Sequence, residues 1–407
     1  MVYDAIVIGA GASGLYCAAH ITGKNILILE KNKRVGLKVL ASGSGQCNFT
    51  HGGHINAFYN RYGAHKKFVK SALSRHDNRA VIQFFKRHGV EHVERSDGKV
   101  FPKSLRAADV VGALLQAVNQ CTLMVDNAVR SVSVHSDGFE VVATQGTFLT
   151  KCVVIATGGR SYPTMGSTGD GYTIARSIGV QVTDIKPGLT GVVLREKELT
   201  SLQGLSFTSV GVTHLRGVKT ENVYSGDLLL THFGLSGPVI INNSRDFKKG
   251  DQLKLNFLGV QPDLLEKQFL DTVAHNGDKP LSYFLNQLNC PEALKQLVLL
   301  NVLIDRNAKL STINRDERKG LIEALTAYKV EIENLIGFQQ AMVTVGGVAL
   351  EGIHAKTMES IDYPGLFFIG EVLDVDGDTG GYNLQWAFAS GYAAAMQINE
   401  IVGGSNG

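Results

Sequence analysis

The segment that most restricts this chain is its first thirty residues. An apolar, β-rich run (VYDAIVI, residues 2–8) feeds the turn Gly9-Ala10-Gly11-Ala12-Ser13-Gly14. A helix-compatible stretch follows over residues 13–21, then a second apolar strand, NILILE, ending in Glu30. That order is one strand–helix–strand unit, the opening of a doubly wound sheet. The glycines of GxGxxG have separate reasons: the first permits the tight turn, the second lets a pyrophosphate approach the backbone, and the third lets helix pack on strand. Phosphates then meet a helix amino end, where free N–H groups and the helix dipole favour negative charge. Glu30, sixteen residues past Gly14, ends the second strand, where a carboxylate can accept ribose hydroxyls.

Beyond this unit, residues 64–88 read as one or two helices with Asp77 as N-cap, and residues 108–120 as another. The period then changes to two: strands near 129–135 and 139–144 are joined by Asp137-Gly138, a further strand covers 146–149, and a continuous apolar strand at 152–156 runs into Thr157-Gly158-Gly159. Pro187-Gly188 marks a boundary. Residues 189–260 alternate in short segments and suggest a β-barrel or compact sheet. Residues 262–327 are helical, with Pro262, Pro280 and Pro291 near helix starts. Strand character returns at 329–336 and 341–345. The chain closes with a strand at 366–369, a glycine-rich loop and a helix over 383–400.

Composition narrows the class. The 407 residues suit two to three domains, and 44% hydrophobic with 19% charged residues supplies a large core. The start of the sequence carries no export pattern, and the longest nearly apolar stretch, near residues 297–304, is too short for a membrane span. Five scattered cysteines (Cys17, Cys47, Cys121, Cys152, Cys290) show no CxxC, which fits a reduced, cytoplasmic protein without structural metal. Asp374, Asp376 and Asp378 resemble a calcium loop, but the later Glu that such a loop requires is missing.

The fingerprint alone does not separate FAD from NAD. Two later segments favour FAD: Ala156-Thr157-Gly158-Gly159 after a buried strand and a β-meander, and Glu371 at the end of the strand over 366–369, suited to ribityl hydroxyls. Gly380-Gly381 then open a helix whose amino end can face a pyrophosphate or a flavin. An extended FAD draws on both chain ends, whereas NAD needs only the first unit. No second GxGxxG sits in its own strand–helix context, so NAD(P)H, if it is the electron donor, binds transiently.

These segments together resemble the HI0933-like (BaiN/RdsA) family of FAD-dependent oxidoreductases. The matching runs are GAGASG; residues 38–50 (KVLASGSGQCNFT); 156–172 (ATGGRSYPTMGSTGDGY); 231–238 (THFGLSGP); 344–350 (TVGGVAL); 356–360 (KTMES); and 370–391 (GEVLDVDGDTGGYNLQWAFASG). Where many members read SGxGRCN, this chain has Gly45-Gln46-Cys47-Asn48. The resemblance implies an α/β architecture in which a Rossmann-like, two-dinucleotide-binding FAD domain (residues 1–188 with 346–407) carries an inserted β-barrel domain (189–261 with 329–345) and a helical domain (262–328). It also implies reduction of a polarised C=C bond, in enone-type metabolites or in uracil of ribosomal RNA. Expected FAD contacts are Gly9, Gly11, Ala12, Ser13, Gly14, Glu30, Lys31, Lys38, Ser42, Val129, Ala156, Thr157, Gly158, Gly159, Gly370, Glu371, Asp374, Gly380, Gly381, Tyr382, Asn383 and Leu384.

Hydride chemistry belongs to the flavin, while the protein supplies placement, electrostatics and a proton. Three residues are catalytic candidates. Cys47, in a Gly/Ser-rich loop, either protonates a substrate carbon or is a small packing residue. Lys38 either stabilises reduced flavin or is solvated. His232 either faces the flavin or caps the turn before Gly234. Asn48 and Asn383 bond the ring edge or loop backbone, and Tyr382 covers the ring or packs. Residues 61–106 hold twelve Lys or Arg against four Asp or Glu, although net charge is only +3. Lys66, Lys67, Lys70, Arg75 and Arg79 form either a solvated helix face or an RNA-binding one. The function classes are therefore three: an FAD-dependent reductase of uracil in structured RNA, the same chemistry on a small enone, or a non-catalytic FAD-binding interaction module.

Overall fold

In the computed structural model, which describes residues 2–22 and 25–403, the chain divides into two compact units. The first comprises residues 1–188 and 338–407, and the second residues 189–337.

The first unit is organised by a seven-stranded sheet. Val2–Ile8 pairs in parallel with Ile26–Leu29 on one side and with Gly146–Ile155 on the other, and Thr122–Met124 extends the sheet beyond Ile26–Leu29. Buried apolar residues run together at 5–8, 26–29 and 152–155, the pattern of strands covered on both faces. The ten-residue strand Gly146–Ile155 unites segments that the sequence reads as two. Its first half pairs with Gly138–Ala143 in the antiparallel meander, and its second half joins the parallel sheet, with Leu366–Phe368 alongside. The C-terminal strand thus docks beside the segment that leads into Ala156-Thr157-Gly158-Gly159.

Two helices build the packing around the first turn. The first, Ala12–Ala18, is buried over Ser13 to Ala18 and packs on the C-terminal helix Tyr382–Gly403. Small residues allow the approach: a Cβ on Gly391 would lie 2.8 Å from the Ser13 carbonyl oxygen. The basic stretch forms two helices, Lys66–Arg75 and Asn78–Arg87. They break at His76-Asp77, where Asp77 accepts a hydrogen bond from Ala80 N at 2.9 Å. A small three-stranded sheet absent from the sequence reading joins Thr50–His51, Lys99–Pro102 and His92–Glu94. Its strands are too short for an alternating pattern to register.

The second unit holds a closed barrel in the order Val192–Leu194, Gly234–Ser236, Lys219–Leu230, Ser206–Arg216, Gln252–Asn256 and Tyr328–Leu335. Four helices (Pro262–Asn276, Leu281–Leu285, Glu292–Val302 and Arg315–Thr326) share its hydrophobic core. The last begins with a capping box between Asn314 and Glu317. Residues 338–345, which the sequence reading places with the barrel, belong to the first unit. Val343–Val345 pairs antiparallel with Lys186–Gly188, so the main-chain bonds that decide its membership lie outside the barrel.

One buried histidine makes the first unit sensitive to acid. His76 lies 5% exposed, its Nε2 2.6 Å from the Tyr16 hydroxyl and its ring stacked on Tyr392 at 4.1 Å. Burial, with help from His20 and Arg87, lowers its pKa to about 3, against an ordinary value near 6.5. The unfolded chain therefore takes up this proton first. Stability is fully present above the ordinary value and falls as pH drops from there toward 3, by up to about 1.4 kcal/mol per pH unit. Urea unfolding of wild type and His76→Gln between neutral and mildly acidic pH checks this: the wild type should lose stability more steeply, and parallel curves would contradict it.

Candidate active site

The turn after the first strand is shaped by contacts that leave one glycine unexplained. Gly9 has φ +107°, and a Cβ there would stand 2.5 Å from the Ala156 carbonyl oxygen. A Cβ on Gly14 would collide with the Gly9 carbonyl. Both are glycine because the protein's own backbone comes close. Gly11, at the helix N-cap, has an ordinary extended conformation, and a Cβ there would meet nothing within 4 Å. No side chain caps the helix at this point. An open space at an uncapped helix amino end is what a dinucleotide pyrophosphate requires, so the residues present fit that group.

Around this turn lie several of the residues expected to contact FAD. Ala12 and Ser13 open the first helix, and a Cβ on Gly370 would lie 2.6 Å from Ser13 Oγ. Glu30 is buried: Oε2 accepts from Ala10 N at 2.9 Å, and Oε1 accepts from Asn32 N and Nδ2. The loop before Val129 runs beside it, with Asn127 N donating to the Glu30 carbonyl. Lys31 bonds Thr168 and Asp170, at 2.5 and 2.6 Å. In the Thr157-Gly158-Gly159 segment Gly159 is tightly enclosed, and a Cβ there would clash with Thr344 Oγ1.

Lys38 and Glu371 meet in an ion pair of 2.6 Å, although 333 positions separate them. Lys38 also donates to Ser161 Oγ at 2.5 Å. The other Glu371 oxygen accepts from Ser161 Oγ and Thr344 N, both at 2.9 Å. Thr344 Oγ1 in turn accepts from Arg160 N and Ser161 N. Lys38 is therefore not a free solvated lysine, and both Glu371 oxygens are already engaged. Ser161 and Thr344 were not singled out from sequence. They stand in the ATGGRSYPTMG and TVGGVAL runs, where a hydroxyl beside the glycines was the available signal.

The segment 38–50 is joined to the C-terminal loop at both ends. Beyond the Lys38 contact, Thr50 Oγ1 donates to Gln385 Oε1 at 2.7 Å, and a Cβ on Gly381 would collide with the Thr50 carbonyl. Between these points Gly43, Ser44, Gly45 and Cys47 all have φ between +56° and +83°. Ser42 donates to the Val39 carbonyl.

Several expectations change here. Cys47 is 0% exposed, and burial raises its thiol to about 12, so it stays a protonated thiol. Full burial is the environment that the packing alternative describes. Asn48 Nδ2 donates to the Thr50 and Val100 carbonyls, and Asn383 pairs with Gly377 N and O; both serve loop backbone. Tyr382 is buried, stacked 5.1 Å from His51, with Arg61 5.7 Å above its ring. Asp374 accepts from Thr183 and faces His65 at 3.7 Å. Leu384 is half-buried at the start of the C-terminal helix, beyond Gly380. In the second unit His232 is exposed, and Thr231 rather than His232 closes the turn by bonding Gly234.

The match to known proteins runs the length of the chain. The model of the HI0933-like protein Rossmann domain covers residues 3–397. The chain belongs to the HI0933-like family. It is 34% identical to the ribosomal RNA dihydrouridine synthase of Escherichia coli, across 97% of this chain and 98% of that one, and 33% identical to the protein of the same name from Haemophilus influenzae, with the same coverage. It is 29% identical to the 3-dehydro-bile acid delta(4,6)-reductase of Clostridium scindens, again over 97% of its length. Among solved structures, a flavocytochrome c3 fumarate reductase matches with a TM-score of 0.51 at 16% identity, over 98% of this chain and 78% of that one. A 3-ketosteroid delta1-dehydrogenase from Sterolibacterium denitrificans also scores 0.51, at 14% identity, over 98% and 100%. These two share the fold. The protein is a member of a flavoprotein family, an FAD-dependent oxidoreductase. No helix among its described residues is long and apolar enough to cross a membrane.

Gly11→Ala separates cofactor binding from folding. The added methyl meets no protein atom, so thermal stability of the apoprotein should hold, while FAD affinity should fall at least roughly tenfold, about 1.4 kcal/mol. Flavin titration of the apoprotein reads this directly, and undiminished affinity would place the pyrophosphate elsewhere.

Proposed function

We propose that the protein uses FAD to reduce a polarised carbon–carbon double bond, and that its substrate is uracil in structured RNA. The observation that carries the RNA assignment is the character of helix Lys66–Arg75. Lys66, Lys67 and Lys70 are exposed on it with no carboxylate partner among the described residues, Lys70 lying 5.9 Å from the Tyr59 ring. Arg75 and Arg79 are exposed nearby. A solvated face of a helix usually intersperses both signs, and this helix has no acidic residue. The two relatives above 30% identity, both named for ribosomal RNA, support the same choice.

When bound, FAD supplies the hydride, and a proton must reach the neighbouring carbon. In this reading the amino end of the first helix, with Gly9, Gly11, Ala12, Ser13 and Gly14, holds the pyrophosphate. Glu30, Lys31 and the loop at Val129 bound the adenosine side. The Ala156-Thr157-Gly158-Gly159 segment and the loop from Gly370 through Leu384 bound the flavin side. Lys38, fixed by Glu371 and Ser161, keeps a positive charge where negative charge develops as a carbonyl-conjugated bond is reduced. NAD(P)H docks transiently as reductant. A ribosomal RNA substrate places the protein in the cytoplasm.

A second reading, reduction of a small enone, is favoured by the likeness to the bile acid reductase. Nucleoside mass spectrometry of ribosomal RNA from cells with and without the gene distinguishes them: one dihydrouridine should disappear, and an unchanged count would favour the small molecule. The triple variant Lys66→Gln, Lys67→Gln and Lys70→Gln should weaken RNA binding at least roughly tenfold and lower the salt slope of log K by about two. Equal binding at every salt concentration would remove this helix from the interface.

A further inference from the structure

One exposed cation borders the segment 38–50 without a carboxylate partner among the described residues. Arg95 sits at the turn between His92–Glu94 and Lys99–Pro102, where its N–H donates to the Lys99 carbonyl and its own carbonyl accepts from Gly98 N. Its guanidinium lies 4.0 Å over the Phe101 ring, and Nη2 donates to Gln46 Oε1 at 2.6 Å. The neighbouring acids are engaged elsewhere. Asp97 pairs with Lys99 at 2.7 Å, and the Glu94 carboxylate lies against Gly52.

Gln46 belongs to the left-handed turn that Lys38 and Thr50 tie to Glu371, Gly381 and Gln385, so Arg95 stands at the rim of the candidate active site. The aromatic platform and the glutamine hold the guanidinium in one orientation while leaving it exposed. A pre-oriented fork loses little entropy on binding and matches a phosphate bidentately. One carbonyl or carboxylate of a small enone could meet this fork, but a polyanion alone also matches a surface with twelve basic and four acidic residues between 61 and 106.

We propose that Arg95 is an RNA-binding residue that grips a phosphodiester at the rim of the flavin site, positioned by Phe101 and Gln46. The inference rests on the RNA-substrate reading above and adds where the strand is held. The test is fluorescence anisotropy of a labelled, uridine-containing RNA hairpin with the flavin-loaded protein across a salt series. It compares wild type, Arg95→Gln and Arg130→Gln, the last an exposed cation on the meander strand Val129–His135. Arg95→Gln should retain its flavin, bind roughly tenfold more weakly and lose about one unit of salt slope, while Arg130→Gln stays near wild type. Wild-type affinity in Arg95→Gln, or an equal loss in Arg130→Gln, overturns the proposal alone. A wild-type protein without affinity for the hairpin overturns the RNA reading and this inference with it.

Discussion

Everything functional in the first unit depends on how closely the chain folds back at the end of its first strand. Gly9 presses against Ala156, Gly14 against Gly9, and Gly391 against Ser13, so three distant segments meet with no side chain between them. Such contacts are possible only without Cβ atoms, and they bring the amino end of the first helix up to the surface beside Gly11. The four leading N–H groups of a helix need partners, and no side chain supplies a cap here. Donors so placed are the kind that an anionic ligand uses.

The second constraint is electrostatic. Lys38 and Glu371 are each only partly exposed, with side-chain exposures of 28% and 20%, and their pairing closes the N-terminal loops onto the C-terminal one. An exposed ion pair contributes little to stability, but this one is backed by Ser161, Thr344 and main-chain N–H groups, which restrict its geometry. Its contribution lies in position: a lysine that would otherwise sample many rotamers is held at one place beside the glycine-rich loops.

Much of this was legible from the sequence, and the exceptions have physical reasons. Gly9, Gly11, Gly14 and Glu30 announce themselves because a phosphate-accepting turn tolerates few residue types. The parallel strands read clearly because both their faces are buried. What the sequence did not disclose are pairings across long separations. Glu371 looked available for ribityl hydroxyls until Lys38 and Thr344 were found upon it, and the placement of Val343–Val345 depends on its partner Lys186–Gly188 rather than on its own composition. A Gly/Ser-rich loop left Cys47 open between a proton donor and a packing residue, because loop composition does not set a side chain's burial. The Cys47 backbone, at φ +59°, belongs to a turn whose thiol is fully buried. Arg95 carried no motif at all, since its meaning comes from Phe101 and Gln46, which lie on other segments.

The central claim is that the uncapped helix end beside Gly11 holds the pyrophosphate that joins the two halves of FAD. FMN ends in a single phosphate and riboflavin has none, so titration of the apoprotein with FAD, FMN and riboflavin measures that contact most directly. FAD should bind at least roughly a hundredfold more tightly than FMN, a difference of about 2.7 kcal/mol, and riboflavin more weakly still. Equal affinity for FMN and FAD would contradict the account.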